Sequence, residues 1–250
     1  MSFKVVIPAR YASARLPGKP LLDIAGRAMI EWVVASAARS GAEEVLVATD
    51  DARIAARVGE RALMTQSGHR SGTDRIAEVA RLRGWSERTI VVNVQGDEPQ
   101  LPPALIDQVA SLLEHRVDAD IATLCTPVSS VRELLDPSAV KVVMSDAGVA
   151  LYFSRAPIPF DRDGASHGVA SQSRFDGAHR HLGVYAYRVD ALKRLSVLPQ
   201  SELERTEKLE QLRALQAGMK IVVAVAAEPP PAGVDTPEDL ERVRAALARR

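Results

Sequence analysis

The chain has 250 residues, with 32 Lys and Arg balanced by 32 Asp and Glu, so no net charge provides an overall field for a nucleic-acid backbone or an anionic membrane surface. Hydrophobic residues at 46% and charged residues at 26% exclude disorder as the main state, and one cysteine, Cys125, excludes an internal disulfide and a thiolate zinc cluster. Cations and prolines throughout the first twenty residues, and a longest apolar run of only 221–227, predict a cytoplasmic protein with no secretory leader and no membrane insertion.

In chain order, strands are predicted at 3–7, 44–48, 62–64, 89–94 and 120–126, alternating with helices at 28–40, 51–60, 73–83, 102–115 and 131–135. This alternation is the pattern of a parallel sheet covered by helices. Beyond 140 it changes. Runs at 140–144 and 149–153, joined by Ser145, Asp146, Ala147 and Gly148, read as an antiparallel hairpin. Residues 161–177, rich in Gly and Ser and without periodicity, read as a long mobile loop. A strand at 179–187, a helix at 203–217 ended by Gly218, a strand at 220–225 and a helix from Pro237 onward complete the pattern. No repeat or linker divides the chain. The expectation is one α/β domain over 1–250, with a mixed, mostly parallel sheet flanked by helices and a smaller antiparallel lobe at about 140–215.

Several motifs lie where open α/β sheets place their ligands, at the carboxyl ends of strands. After the first strand, IPARYASARLPGKPL combines small residues and prolines with Arg10, Arg15 and Lys19, and residues 1–22 contain no acid. Such a loop can surround a polyphosphate with backbone N–H groups and cations. It is neither a G-x-G-x-x-G fingerprint nor a Walker A loop, which demotes a dehydrogenase or P-loop ATPase. In VQGDEP, Asp97 would place a hard oxygen ligand in the crevice for Mg²⁺, or would only end the strand as a turn residue. Glu98 is a second ligand or a turn residue. Ser71 and Asp74 form a Ser-x-x-Asp capping box, and the same helix start could bind an anionic group with help from Arg75. Thr236 and Pro237 are explained as N-cap and first helical residue, leaving Asp235 as a possible second metal carboxylate. Arg155 suits a carboxylate clamp, and His181 and Tyr185 suit sugar hydroxyls, although an isolated strand His is more often packing. Glu204, Glu207 and Gln211 form a helix face that by itself reads as solvated.

Taken in order, IPARYASARLPGKPL, SGTDRIAEV, VNVQGDEPQ, YFSRAPIPF, RHLGVYAYR, LEQLR and GVDTPEDLERV span nearly the whole chain and resemble the 3-deoxy-manno-octulosonate (Kdo) cytidylyltransferases, or CMP-Kdo synthetases. The resemblance implies a Rossmann-like nucleotide-diphospho-sugar transferase fold and a cytoplasmic homodimer. It also implies an enzyme that uses CTP and Mg²⁺ to activate Kdo for lipopolysaccharide biosynthesis, with sugar binding and dimerisation in the smaller lobe. Carried over by residue, it implies CTP binding by Arg10, Ser13, Arg15, Lys19, Ser71, Asp74 and Gln95, and Mg²⁺ on Asp97 and Asp235. Lys19, Asp97 and Asp235 become the implied catalytic set. Arg155, His181, Tyr185, Glu210 and Gln211 become the implied Kdo pocket, which overturns the solvated reading of part of the last helix face. Two departures stand out: Ala186 replaces a glycine often found between the two tyrosines, and the segment between Asp51 and Ser71 is slightly short.

Overall fold

The computed structural model describes residues 2–12 and 16–248. Its strands are β1 (Phe3–Ala9), β2 (Asp23–Ile24), β3 (Arg27–Ala28), β4 (Glu44–Thr49), β5 (Ala62–Met64), β6 (Ile90–Asn93), β7 (Ile121–Pro127), β8 (Lys141–Met144), β9 (Ala150–Ser154), β10 (His179–Arg188) and β11 (Ile221–Val225). Helices are α1 (Met29–Ala37), α2 (Ala52–Val58), α3 (Gly72–Leu82), α4 (Pro103–His115), α5 (Val131–Leu135), α6 (Val189–Val197), α7 (Glu202–Glu207), α8 (Gln211–Gln216) and α9 (Pro237–Leu247).

Nine strands form one sheet, in the order β11-β7-β10-β6-β1-β4-β5, with β8 pairing β10 and β9 pairing β8. The first half is parallel, as its alternating pattern predicts: β1 lies between β6 and β4, and β5 lies outside β4. β10 then inserts antiparallel between β6 and β7. The predicted hairpin of β8 and β9 continues this one sheet through β10. β1 is covered on both faces because successive side chains alternate. Phe3, Val5 and Ile7 pack in one core with Val33 of α1 and Ile106 and Val109 of α4. Val6 packs in the other with Ile76 and Val79 of α3 and Leu192 of α6. Each such side chain, fully buried, contributes roughly 1.5–3 kcal/mol, whereas an exposed ion pair contributes about 1 at most. Apolar layers therefore hold the scaffold, and the charged groups are left to the site.

Two elements differ from the pattern reading. α6 follows β10 directly, between a strand end and a proline-containing turn. The predicted helix at 203–217 is two short helices, broken where Lys208 adopts a left-handed conformation with φ 54°. Leu, Glu, Gln and Lys around the break are all good helix formers, so propensity carries no trace of it. The cause is tertiary. Ser154 Oγ and the Arg155 backbone N–H donate to the Glu207 carboxylate at 2.6 and 2.9 Å, whereas Glu210 is drawn to Ser71, Thr73 and Arg213. The break therefore falls between two sets of tertiary partners. Within the loop at 161–177, Val169–Ser171 forms a single 3-10 turn and Gln172 is buried.

Candidate active site

Three loops meet at the carboxyl ends of β1 and β6. The first turns at Gly18, whose φ of 69° lies in the left-handed region and where a Cβ would stand 3.1 Å from the Tyr11 ring. That turn starts a 3-10 segment at Lys19, whose Nζ donates to Asp97 Oδ2 at 2.6 Å and to Asp235 Oδ1 at 3.1 Å. Asp235 is 216 positions away from Lys19. Two features bring it there: the Val234 backbone N–H donates to the Asp97 carbonyl at 2.9 Å, and Leu240, Val243 and Leu247 of α9 share a satellite core with Ile24 and Met29. Thr236 caps α9 and Pro237 occupies its first turn, as the Thr-Pro pair predicts.

A cavity of 380 Å³ opens beside this junction. Arg10, Lys19, Ser71, Gln95, Asp97 and Asp235 line it. Its wall includes backbone, because Gly96 leaves room where a Cβ would lie 3.2 Å from the Pro8 carbonyl oxygen. Ser71 caps α3 by accepting from the Asp74 N–H at 3.1 Å, so a helix start, with its outward N–H groups, faces the cavity. The Asp74 side chain lines a different groove, shared with Ala77 and Arg213. Ser13 and Arg15 lie outside the described residues. His69 and Arg70 also line the cavity. They went unnoticed in the sequence because the segment before Ser71 has no periodicity, and only the placement of α3 brings them back to β1.

A second cavity of 680 Å³ adjoins the first and shares Gln95 and Asp235 with it. Here β10 departs from regular pairing with β7 between Leu182 and Tyr185, an irregularity of the kind that re-aims side chains beside a site. His181, Tyr185, Glu210 and Gln211 all line this cavity. Burial pushes the His181 imidazole down to about 3, so it is neutral at pH 7. Its Nε2 lies 3.0 Å from Thr123 Oγ1, whose one proton is directed at the Leu182 and Val184 carbonyls. The consistent tautomer has Nε2 donating and Nδ1 left as an acceptor. Burial likewise raises Tyr185 well above its usual range, keeping it a phenol donor. Burial also raises Glu210, which nevertheless accepts from Ser71 Oγ at 2.8 Å and Thr73 Oγ1 at 3.0 Å. Glu210 thus ties the cap of α3, on the first cavity, to the wall of the second. Desolvation and the neighbouring Asp97 charge push Glu98 up to about 8. Arg155 does not line this cavity: its Nε donates to the Glu207 carbonyl at 2.7 Å and its Nη1 to the Pro137 carbonyl at 2.8 Å. Arg180, Glu98 and the buried Asn93 line it instead. Strand alternation points Arg180 and His181 to opposite faces, so the pattern alone does not assign both to one cavity.

Two adjoining cavities, one rich in cations and one rich in hydrogen-bonding groups, suit two substrates meeting at Lys19, Asp97 and Asp235. The family model described as cytidylyltransferase matches residues 4–221. A 3-deoxy-manno-octulosonate cytidylyltransferase of Thioalkalivibrio sulfidiphilus is 54% identical, over 99% of each chain. The chain belongs to the 3-deoxy-manno-octulosonate cytidylyltransferase family. Members of the 3-deoxy-manno-octulosonate cytidylyltransferase family are nucleotidyltransferases, and this chain is an enzyme of that class. A solved structure of CMP:2-keto-3-deoxy-manno-octonic acid synthetase, complexed with CTP, superposes with a TM-score of 0.87 and 43% identity, covering 99% of this chain and 98% of that one. The fold extends further: 4-diphosphocytidyl-2C-methyl-D-erythritol synthase has a TM-score of 0.64 at 12% identity, covering 99% of this chain and 100% of that one.

For a 3-deoxy-manno-octulosonate cytidylyltransferase, the question at the junction is whether a divalent cation fits. Among the described residues no three His, Cys, Asp or Glu side chains converge as a metal cage. Mg²⁺ at nucleotide sites does not need one: it uses one or two carboxylates with phosphate oxygens and water. The Asp97 and Asp235 carboxylates converge on the Lys19 ammonium, and the donor set fits Mg²⁺. Among the described residues no helix is long and apolar enough to cross a membrane.

Proposed function

We propose that this chain transfers CMP from CTP to Kdo, releasing pyrophosphate, and that it does so with Mg²⁺ held by Asp97 and Asp235. The observation that carries this reading is the shared wall of the two cavities, where Gln95 and Asp235 belong to both and Lys19 bridges the carboxylates. CTP occupies the first cavity, with its triphosphate toward Arg10, Lys19 and the start of α3. Kdo occupies the second, with His181, Tyr185 and Gln211 at its hydroxyls. The anomeric oxygen then attacks the α-phosphorus, the bond between the α-phosphorus and the bridging oxygen breaks with its electron pair leaving on pyrophosphate, and the hydroxyl proton passes to solvent. Both substrates are anions, so positioning and charge neutralisation supply most of the rate enhancement. When bound, Mg²⁺ supplies charge neutralisation and orients the phosphate oxygens. Lys19 stabilises charge developing on the phosphates from a fixed position, which avoids reorganisation during the step.

The same reading makes the protein a cytoplasmic homodimer that supplies CMP-Kdo for lipopolysaccharide assembly. Pyrophosphate release with each of the four nucleoside triphosphates, with Kdo or a sugar phosphate, and with or without Mg²⁺, tests the reaction. Release only with CTP, Kdo and Mg²⁺ is expected. Release with CTP and a sugar phosphate but not with Kdo would overturn the acceptor. Near-normal turnover of a folded Asp97→Asn variant would overturn the metal assignment. Light scattering tests the dimer.

A further inference from the structure

We propose that Arg180 is the residue that holds the acceptor's carboxylate in the second cavity. This rests on the functional reading above, in which the acceptor is a sugar acid. Five carboxylic side chains line that cavity: Glu98, Asp136, Glu210, Asp235 and Asp239. Asp235, Glu210 and Asp239 are already paired with Lys19, Arg213 and Arg242, so an anionic ligand entering there needs a cation that still has donors to offer. His181 cannot be that cation, because burial keeps it neutral. Among the described lining residues Arg180 alone carries a guanidinium or ammonium group. Arg155, the residue that resemblance assigns to the sugar-acid pocket, spends its Nε and Nη1 donors on two backbone carbonyls.

The environment of Arg180 suits the task. On one side its Nη1 lies 3.3 Å from Glu133 Oε1. Glu133 is itself fixed, since its Oε2 accepts from the Ser129 backbone N–H and Oγ, each at 2.8 Å. Nε of Arg180 is buried with no hydrogen-bond partner. A buried donor without a partner calls for an explanation, and the Nε/Nη2 edge of a guanidinium is the fork that a carboxylate matches with two parallel bonds. Asn93 Oδ1, on the same cavity wall, is also buried without a partner and is available to a ligand hydroxyl. The position is anchored from both sides, because Arg180 pairs across the sheet with Thr126 of β7 and Lys141 of β8. A cation fixed in this way loses little entropy on binding, so it discriminates by charge and geometry together.

The test compares Kdo with its carboxamide, which keeps the shape and hydroxyls but not the charge. Wild-type enzyme should prefer the acid by roughly 10- to 100-fold in kcat/KM, as removing a charge-assisted hydrogen bond implies. Arg180→Gln should raise KM for Kdo by a similar factor, leave KM for CTP within about twofold, and abolish the preference for acid over amide. Arg180→Lys, which keeps the charge but not the fork, should retain part of the preference. Glu133→Gln should keep it, because that side chain holds the back of the guanidinium and does not line the cavity. If Arg180→Gln slows acid and amide equally and the preference survives, Arg180 is structural and the proposal fails. Loss of the preference in Arg155→Gln but not in Arg180→Gln would also overturn it. Should wild-type enzyme transfer CMP to neither compound, the functional reading falls and the proposal with it.

Discussion

The two cavities carry charge in different ways. The first presents basic side chains from separate loops, Arg10, Lys19 and Arg70, together with the amino end of a helix. The second carries one guanidinium among five carboxylic groups, a neutral histidine and a phenol. A triphosphate spreads several charges over a length that flexible cations can follow. A sugar acid has one charge and many hydroxyls, so fixed hydrogen-bond geometry recognises it better than a diffuse field does. The lesson is that net neutrality at 32 against 32 hides a sharp division. Basic residues collect in the first cavity, and acids collect beside them in the second.

The strongest way to break this comparison is to remove Lys19, which touches both carboxylates. Lys19→Ala should lower kcat about 100- to 1,000-fold, the range found when a preorganised charge-stabilising donor is lost. Pyrophosphate release from protein with an unchanged circular dichroism spectrum measures it. A fall below tenfold would mean that the junction is not where charge develops.

Glu210→Ala should cut the tie between the cavities. Ser71, Thr73 and the buried Arg213 lose a partner, so unfolding in urea should show a loss of roughly 1–3 kcal/mol. KM for both substrates should rise. A rise for Kdo alone would show that the strut serves only the second cavity.

His181 sharpens the difference through pH. Its folded value near 3 lies below its usual 6.5, so the unfolded chain binds the extra proton between those values. Stability from keeping this ring neutral is therefore full above pH 6.5 and falls as pH drops toward 3, with a slope of at most about 1.4 kcal/mol per pH unit. In His181→Gln that part of the slope should vanish in urea titrations between pH 4 and 7. An unchanged slope would mean the ring protonates freely in the folded protein.

The smallest effect is expected at Gly18→Ala. A left-handed Ala costs roughly 1 kcal/mol, and its Cβ would also press on the Tyr11 ring. Thermal unfolding should shift down by a few degrees. KM for CTP should rise while KM for Kdo stays nearly constant, because only the loop of the first cavity moves.

How much of this was legible varied along the chain. The parallel half was, because buried β-branched runs and the cap Ser71 report local preferences that the fold obeys, as Thr236 does for α9. The hairpin at β8 and β9 was legible for the same reason. Neither the break at Lys208 nor the turning of Arg155 toward carbonyls was, because both depend on partners outside the local stretch, 52 residues away at Glu207 and 18 at Pro137. Glu210 shows the limit most clearly: the helical pattern gives it no role, the family resemblance assigns it to the acceptor pocket, and its contacts with Ser71 and Thr73 alone show that it also joins the cap of α3.

By itself, the sequence determined the layered α/β architecture, the acid-free basic stretch after the first strand and the two aspartates at strand and helix boundaries, since periodicity and capping are local physics. Tertiary structure decided which charges meet. Lys19, Asp97 and Asp235 are scattered along 216 intervening steps of chain and become one centre only because α9 packs on the β2–β3 hairpin and the Val234 N–H bonds to the Asp97 carbonyl. Electrostatic interaction depends on distance in space, and a linear pattern carries no record of that distance.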